Sequence, residues 1–547
     1  MKKLFYYPVQ LLAIVLIGLL SKATYVFFVL LVIGLWVTQD YIESALLLIG
    51  PAAVEFGKQT IWPTIIALSL VLGWMFKREK KAQGDLGSAK FENNLADLSR
   101  KKSIFIDLKK RFEGNEPLIL AQAPKKNEFL SIDKGHLLCV APTRSGKGVS
   151  SIIPNLLTLK TSVFCLDIKG ENYAVTATRG KFSRVGVIDI FDQVGRDKIY
   201  INPLAGIDAL TPQGQRKISG IVDALVYDDS GGGADPHWNE SAKQLVKTLT
   251  ILAVIEMRTP CLVHVRDMLF LDINDLFEMV GKYQGSKISF LRNAANSIIS
   301  KNEREFSSIL STAQRHLDFL QDMSVEAYFS MPGNASFSDL ASSLCSYYLI
   351  IPPDLLEFSK RIIRLMIDQA LFENMNQVKK DIVFVLDEFA QLGRLERIEQ
   401  AVTLAAGYGI RVMMYVQDIA QLKQAYKEKW SSFAANSTMQ FFGVNDFETA
   451  KYLSDSLGIE TTRLRSAGES TGESGKGIGE KSSRSSGDSW NESVSKRNLM
   501  NPDEIMNMPA HHTIIITAGK RPIKAAKTGY IYDKAFSGLY YGNPFYQ

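Results

Sequence analysis

Residues 143–148 read Thr-Arg-Ser-Gly-Lys-Gly, a tight run of small residues around one lysine. Before it, 135–142 (GHLLCVAP) reads as a short buried strand. After it, 149–159 reads as a helix, with Pro154 as an early irregularity or kink. Strand, glycine-rich turn and helix form the setting in which backbone N–H groups cradle phosphate oxygens while a lysine neutralises β/γ-phosphate charge. Thr143, Arg144, Ser145, Gly146, Lys147, Gly148 and Val149 are therefore the expected phosphate cradle. The pattern departs from GxxxxGK[ST] twice. Ala141 replaces the first glycine, and Gly148 replaces the hydroxyl residue that ligates magnesium, leaving Ser150 and Ser151 as the nearest hydroxyls.

A second centre lies 240 residues downstream, where 381–386 (DIVFVL) reads as a central strand followed by Asp387 and Glu388. An apolar β-branched run ending in two carboxylates is a Walker B arrangement. Asp387 is the expected metal position, holding Mg²⁺ through water, and Glu388 would polarise an attacking water. A third strand, 411–416 (RVMMYV), ends at Gln417, whose amide could position water near a γ-phosphate. A fourth, 162–166, ends at Asp167. Ligands in open α/β sheets bind beyond the carboxyl ends of the strands, so four polar tips at one edge describe an NTPase site. The expected catalytic set is Lys147, Asp387, Glu388 and Gln417, with ATP and Mg²⁺ as the bound groups.

These positions must be held by a chain of 547 residues, 46% hydrophobic and 22% charged, which excludes a wholly disordered polymer and allows three or four domains. The net charge is +6. Residues 1–84 hold eight basic and four acidic side chains, leaving the remainder near +2, so bulk charge does not by itself announce nucleic acid. Cys139, Cys165, Cys261 and Cys345 sit in apolar stretches without metal-ligand spacing and read as small buried thiols. The first 84 residues are far more apolar, with runs at 8–20, 25–37 and 61–76 and a weaker one at 45–54. Interfacial aromatics (Tyr6, Tyr7, Trp36, Trp62, Trp74) flank them, and Lys77, Arg78, Lys80 and Lys81 mark a cytoplasmic side. A transmembrane helical anchor with two crossings, or four if every run is used, is expected.

The expected layout is 1–84 anchor, 85–204 first part of the nucleotide domain, 205–350 inserted all-α domain, and 351–547 second part. Within the insert, 242–255 and 306–320 carry apolar residues at helical spacing, and Asn239 is placed to cap a helix. The Ser/Gly-rich stretch 459–498 reads as a mobile loop, while 512–519 and 529–533 read as strands returning to the sheet.

Several long motifs occur in order and together resemble the type IV secretion coupling-protein family, the TraG/TraD-like ATPases. They include GSAKF (87–91), APTRSGKGVSSIIPNLL (141–157), LDIKGENY (166–173), DPHWNESAK (235–243), SSILSTAQRHLDFL (307–320), VLDEFAQLGRLE (385–396), GYGIRVMMYVQDIAQL (407–422), NDFETAKYLSDSLG (445–458) and LMNPDEIMNMP (499–509). The resemblance implies a RecA-like P-loop α/β domain with an inserted all-α domain and a multi-pass anchor in the bacterial inner membrane, the bulk of the chain being cytoplasmic. It also implies a homohexamer that passes relaxase-bound single-stranded DNA, or effector proteins, to type IV secretion channel proteins. Carried over by position, Lys147 binds phosphate, Asp387 and Glu388 are the Walker B pair, and Gln417 is the sensor. The arginine finger of some relatives falls here on Ala405 and Ala406, leaving Arg394, Arg397 and Arg411 as the nearest cations. Two other readings share the site: a double-strand DNA pump of the septal or chromosome type, and a nucleotide-binding docking module that does not hydrolyse.

Overall fold

Runs of Val, Ile, Leu and aromatics that are apolar on both faces cannot leave either face to water, so they become central strands covered by helices. In the computed structural model of the chain, residues 87–92, 105–107, 117–123, 128–227, 236–375, 381–404, 409–474 and 483–545 are described. The apolar runs expected to form the anchor lie outside these residues. Among the described residues no helix is long and apolar enough to cross a membrane.

The strands are β1 (Phe105–Asp107), β2 (Leu118–Gln122), β3 (Glu128–Ile132), β4 (His136–Val140), β5 (Ser162–Asp167), β6 (Arg184–Asp189), β7 (Cys345–Ile350), β8 (Ile382–Leu386), β9 (Ile410–Val416), β10 (Ser437–Phe441), β11 (Ile459–Ser474), β12 (Ser483–Asn498), β13 (His512–Ile516) and β14 (Ile523–Ala526). Twelve of them form one sheet in the order β1-β3-β2-β14-β13-β10-β4-β9-β8-β5-β7-β6. The block from β10 to β6 is parallel, and the other side is antiparallel. Strands β4, β5, β7, β8 and β9 are buried at every position. Alternate residues supply two core layers: Leu138 and Val140 face one, Leu137 and Cys139 the other. All four cysteines are free and buried.

The order of the parallel block brings distant segments together. Consecutive strands β4 and β5 are separated by β9 and β8, which arrive more than 200 residues later in the chain. The loop after β4 therefore meets the tips of β8 and β9 at one edge of the sheet.

Four expectations need correction. Residues 345–350, assigned to the all-α insert, form β7 between β5 and β6; the aromatic run CSYYLI is buried on both faces and pairs in parallel with both neighbours. The helices preceding it, Pro212–Leu225 through Met323–Phe329, carry the helical character expected of the insert. Asn239 is not a cap: it lies inside the helix Pro236–Glu256 and its Oδ1 meets His316 Nε2 at 3.1 Å. The stretch 459–498, read as a loop, contains β11 and β12, paired antiparallel from Ile459–Asn498 to Ser474–Ser483. Its Ser/Thr-rich sequence hides the pairing, because a two-stranded ribbon needs no apolar alternation on a buried face. Residues 529–533 form a turn; the strand next to β13 is β14, earlier in the chain.

Candidate nucleotide site

The loop after β4 is tied to its neighbours by backbone bonds. Ala141 N–H donates to Val416 O at 2.8 Å, and Ser145 N–H closes a turn onto Pro142 O at 3.1 Å. Arg144 (φ 63°) and Gly146 (φ 89°) lie in the left-handed region, and at Gly146 the missing Cβ makes that conformation unstrained. Gly148–Ile152 then forms a π-helical turn, Ile153 N–H reaching back to Gly148 O, before the α-helix Ile153–Thr158. The cause is local. Pro154 has no N–H to give the carbonyl four residues earlier, and that Ser150 carbonyl instead accepts from Thr528 Oγ1 at 3.5 Å. Buried Asn155 fixes the helix to β2 by exchanging bonds of 2.7 and 2.9 Å with the backbone of Ile119.

Several features of this turn suit an anionic phosphate. No side chain caps the helix start at Lys147. A Cβ on Gly148 would meet nothing within 4 Å, so the backbone there is open to close approach. The Ser145 hydroxyl is buried and has no hydrogen-bond partner among the described residues. Lys527, after β14, donates from its ammonium to Ser145 O at 2.9 Å and to Phe442 O at 2.5 Å.

The side chains expected to act together do meet. Lys147 Nζ lies 2.8 Å from Asp387 Oδ1 and forms an ion pair with Glu388 Oε1, a residue 241 positions away. Gln417 Nε2 donates to Glu388 Oε2 at 3.0 Å, and Gln391 Nε2 donates to the same oxygen at 3.0 Å. Glu388 sits at φ 51°, ψ 38°, a left-handed conformation uncommon outside glycine and often found at functional turns. Its N–H donates to Asp387 Oδ1 at 3.0 Å, which holds the two carboxylates in a fixed relation. Burial pushes the Asp387 carboxyl above the usual range, although Lys147 opposes it. Burial pulls the Lys147 ammonium down, but the charges of Asp387 and Glu388 and their hydrogen bonds outweigh it and hold the group above an ordinary lysine. One ammonium thus serves two carboxylates. These partners are all side chains, so the pairs can be exchanged without breaking the backbone bonds that hold the loop.

Other expected residues take different places. Asp167 is buried at the tip of β5, where its Oδ2 accepts from Tyr173 N–H at 2.8 Å at the start of the helix Glu171–Thr176. Burial pushes this carboxyl up to about 7. Ser151 is fully buried and bonded to Tyr415 OH at 2.9 Å, so of the two nearest hydroxyls only Ser150 remains beside the loop, its Oγ 3.6 Å from where a Cβ on Gly146 would stand. Arg411 is at the start of β9, the end of the strand opposite Gln417, 3.7 Å from Asp381. Arg394 pairs with Glu399 at 2.7 Å and Arg397 with Asp368 at 2.9 Å. Both line a cleft of about 1440 Å³ that also includes Gln391. Gln391 and Lys527 have no role in the sequence reading: the first lies within the 385–396 motif but in a 3₁₀ turn past its acidic pair, the second just after β14 in a stretch with no motif.

Over residues 80–541 the chain matches the family described as Type IV secretory system Conjugative DNA transfer. Protein VirD4 of Rhizobium rhizogenes is 29% identical over 425 residues, which cover 76% of this chain and 61% of that protein. Conjugal transfer protein TraG of Escherichia coli is 28% identical over 448 residues, covering 75% and 68%. The chain thus spans about three fifths of the VirD4 length. Among solved structures, the plasmid coupling protein TrwB in complex with ADP and Mg²⁺ aligns with a TM-score of 0.57 and 15% identity, over 81% of this chain and 96% of that one. At that identity the likeness speaks for the fold alone, an α/β core.

Proposed function

The chain belongs to the Type IV secretory system Conjugative DNA transfer family, and from that premise we propose that it is a membrane-anchored ATPase coupling substrate to a type IV secretion channel. The cargo is relaxase-bound single-stranded DNA, effector proteins, or both, with conjugative DNA transfer the leading reading. Residues 1–84 are the inner-membrane anchor, the nucleotide domain comprises 85–204 and 345–547, the helices between these two parts form an inserted domain, and the working unit is a homohexamer.

The observation that carries this reading is the convergence of Lys147, Asp387, Glu388 and Gln417 on one point from segments 241 positions apart. The VirD4 and TraG relatives and the TrwB fold support it. In the proposed chemistry, the turn at 143–149 presents backbone N–H groups to phosphate and Lys147 neutralises the β/γ oxygens. Asp387 would hold the magnesium. Bound magnesium supplies charge neutralisation on the triphosphate. Glu388 is held by Gln391 and Gln417 at its Oε2; its Oε1, paired here with Lys147, would be released to polarise a water when the lysine turns to phosphate, and Gln417 would sense the γ-phosphate.

The test is phosphate release by the full-length chain with and without single-stranded DNA, beside the Lys147→Ala variant. DNA-stimulated release that disappears in the variant is expected. Equal rates in both proteins would end the ATPase reading.

A further inference from the structure

Lys147 is surrounded by carboxylates, whereas a second ammonium beneath the same loop is held by carbonyls. The backbone N–H of Lys527 donates to His511 O at 2.8 Å, which sets the side chain beside β13 and the loop. Its ammonium then reaches two main-chain carbonyls, Ser145 O at 2.9 Å and Phe442 O at 2.5 Å, and lies 4.6 Å from the centre of the Phe442 ring. Among the described residues it forms no ion pair with a carboxylate; its contacts are dipoles and a ring face.

The Ser145 contact has a directional consequence. In a trans peptide the carbonyl and the following N–H point to opposite sides of the plane. With the Ser145 carbonyl drawn toward Lys527, the Gly146 N–H faces away from it. Gly146 is at φ 89°, where glycine passes readily between alternative backbone states. A flipped 145–146 peptide would turn a carbonyl oxygen outward, and an outward carbonyl repels phosphate. We propose that Lys527 is a positioning residue of the nucleotide site: it locks the 145–146 peptide with its N–H outward and adds an uncompensated positive charge behind the loop that receives the triphosphate. This rests on the nucleotide-site reading above and adds a residue to it.

A lysine that merely tied β10 to the end of β14 would affect melting temperature alone. A positioning lysine also changes nucleotide affinity, and an arginine should restore much of it because it keeps the charge and donors. The pH behaviour separates the two further. Burial pulls the Lys527 ammonium down to about 8. The ionisable group that acts on it is the Cys139 thiol on β4, which also feels Lys147 and Asp387; His511 meets it through the backbone. Burial pushes the Cys139 thiol up to about 12, so it stays neutral to pH 9.5, and Lys147 stays charged.

The experiment measures equilibrium binding of a non-hydrolysable ATP analogue with magnesium to the full-length chain, its Lys527→Met variant and its Lys527→Arg variant, from pH 7.5 to 9.5. Removing one charge-assisted bond and its field should weaken binding by Lys527→Met about tenfold or more at pH 7.5, with most of it recovered in Lys527→Arg. The unsubstituted chain should lose affinity above about pH 8 and the arginine variant should not. Wild-type affinity in Lys527→Met overturns the proposal. If that variant fails to fold, a flat pH profile in the unsubstituted chain overturns it equally. No analogue binding by the unsubstituted chain at any pH overturns the nucleotide-site reading itself, a result distinct from either.

Discussion

The parallel strands gather buried polar and charged groups at both ends. At the amino ends, His136 opens β4, Arg411 is the second residue of β9, and Asp381 precedes β8. Arg411 lies 3.7 Å from Asp381 and donates to the Asp133 carbonyl at 3.5 Å, while His136 Nδ1 accepts from Val412 N–H at 3.1 Å. At the carboxyl ends, Lys147, Asp387, Glu388, Gln391 and Gln417 bond mainly to one another through side chains, beside the left-handed Gly146 and the open flank of Gly148. Backbone partners cannot leave without breaking the sheet, but side-chain partners can be exchanged for a ligand. A buried charge therefore says little about function until one asks what its partners are fastened to.

The sharpest way to break this contrast is to neutralise an acid at the carboxyl end. Glu388→Gln should lower the phosphate-release rate about 10²–10⁴-fold while leaving analogue binding largely intact, as expected for loss of a general base. A variant that turned over normally would remove the distinction between the two edges. At the other end, Arg411→Leu should reduce stability by about 2–4 kcal/mol in denaturant titration, because it leaves polar partners of a buried cation behind, with turnover per folded molecule unchanged.

A subtler separation uses pH. Burial pulls the His136 imidazole down to about 4, below the 6.5 of a free histidine. The unfolded chain then binds more protons between pH 4 and 6.5, so this group makes stability rise with pH across that window. Asp167, pushed up to about 7 from 3.8, binds more protons when folded, so it makes stability fall from about pH 4 to 7. His136→Asn and Asp167→Asn should change the pH slope of stability in opposite directions relative to the parent. Slopes that moved the same way would contradict the assigned burial of one of the two.

The smallest expected effect is at Gly148. Space beside it is open, so Gly148→Ser should fold, gain up to about 0.5 kcal/mol from reduced backbone freedom, and lower the magnesium concentration needed for analogue binding. An unchanged magnesium requirement would show that the hydroxyl position is not used in this chain.

Much of the site was legible because its parts are local patterns. A buried strand, a glycine-lysine turn and a helix identify Lys147 without knowledge of the fold, and an apolar run ending in two acids identifies Asp387 and Glu388. Gln417 followed from counting to the end of the next strand. What failed depended on register or on non-local pairing. Ser151 and Ser150 differ by one position on an irregular helical turn, and only the π geometry shows which one is taken up by Tyr415. Strand β7 hides after a long helical stretch because six residues are too few for periodicity to outweigh context. The ribbon β11–β12 has the composition of a linker, and the strand expected at 529–533 is a turn, in which Tyr530 packs against Val149 and Tyr540 while Ile531 and Tyr532 stay exposed.

Three contacts fasten the loop and the helix start from the far end of the polymer: Lys527 to Ser145, Thr528 to Ser150, and Tyr530 to Val149. A ribosome makes the lysine, both acids and the glutamine well before it makes any of these three fasteners. A product released early, by a nonsense codon or a frameshift ahead of 527, carries Lys147, Asp387, Glu388 and Gln417 around a turn still tied to β9 but without these three fasteners. Translation order thus leaves this part of the bracing to the last, and an aborted polypeptide keeps the gathered side chains without the full frame that aims them.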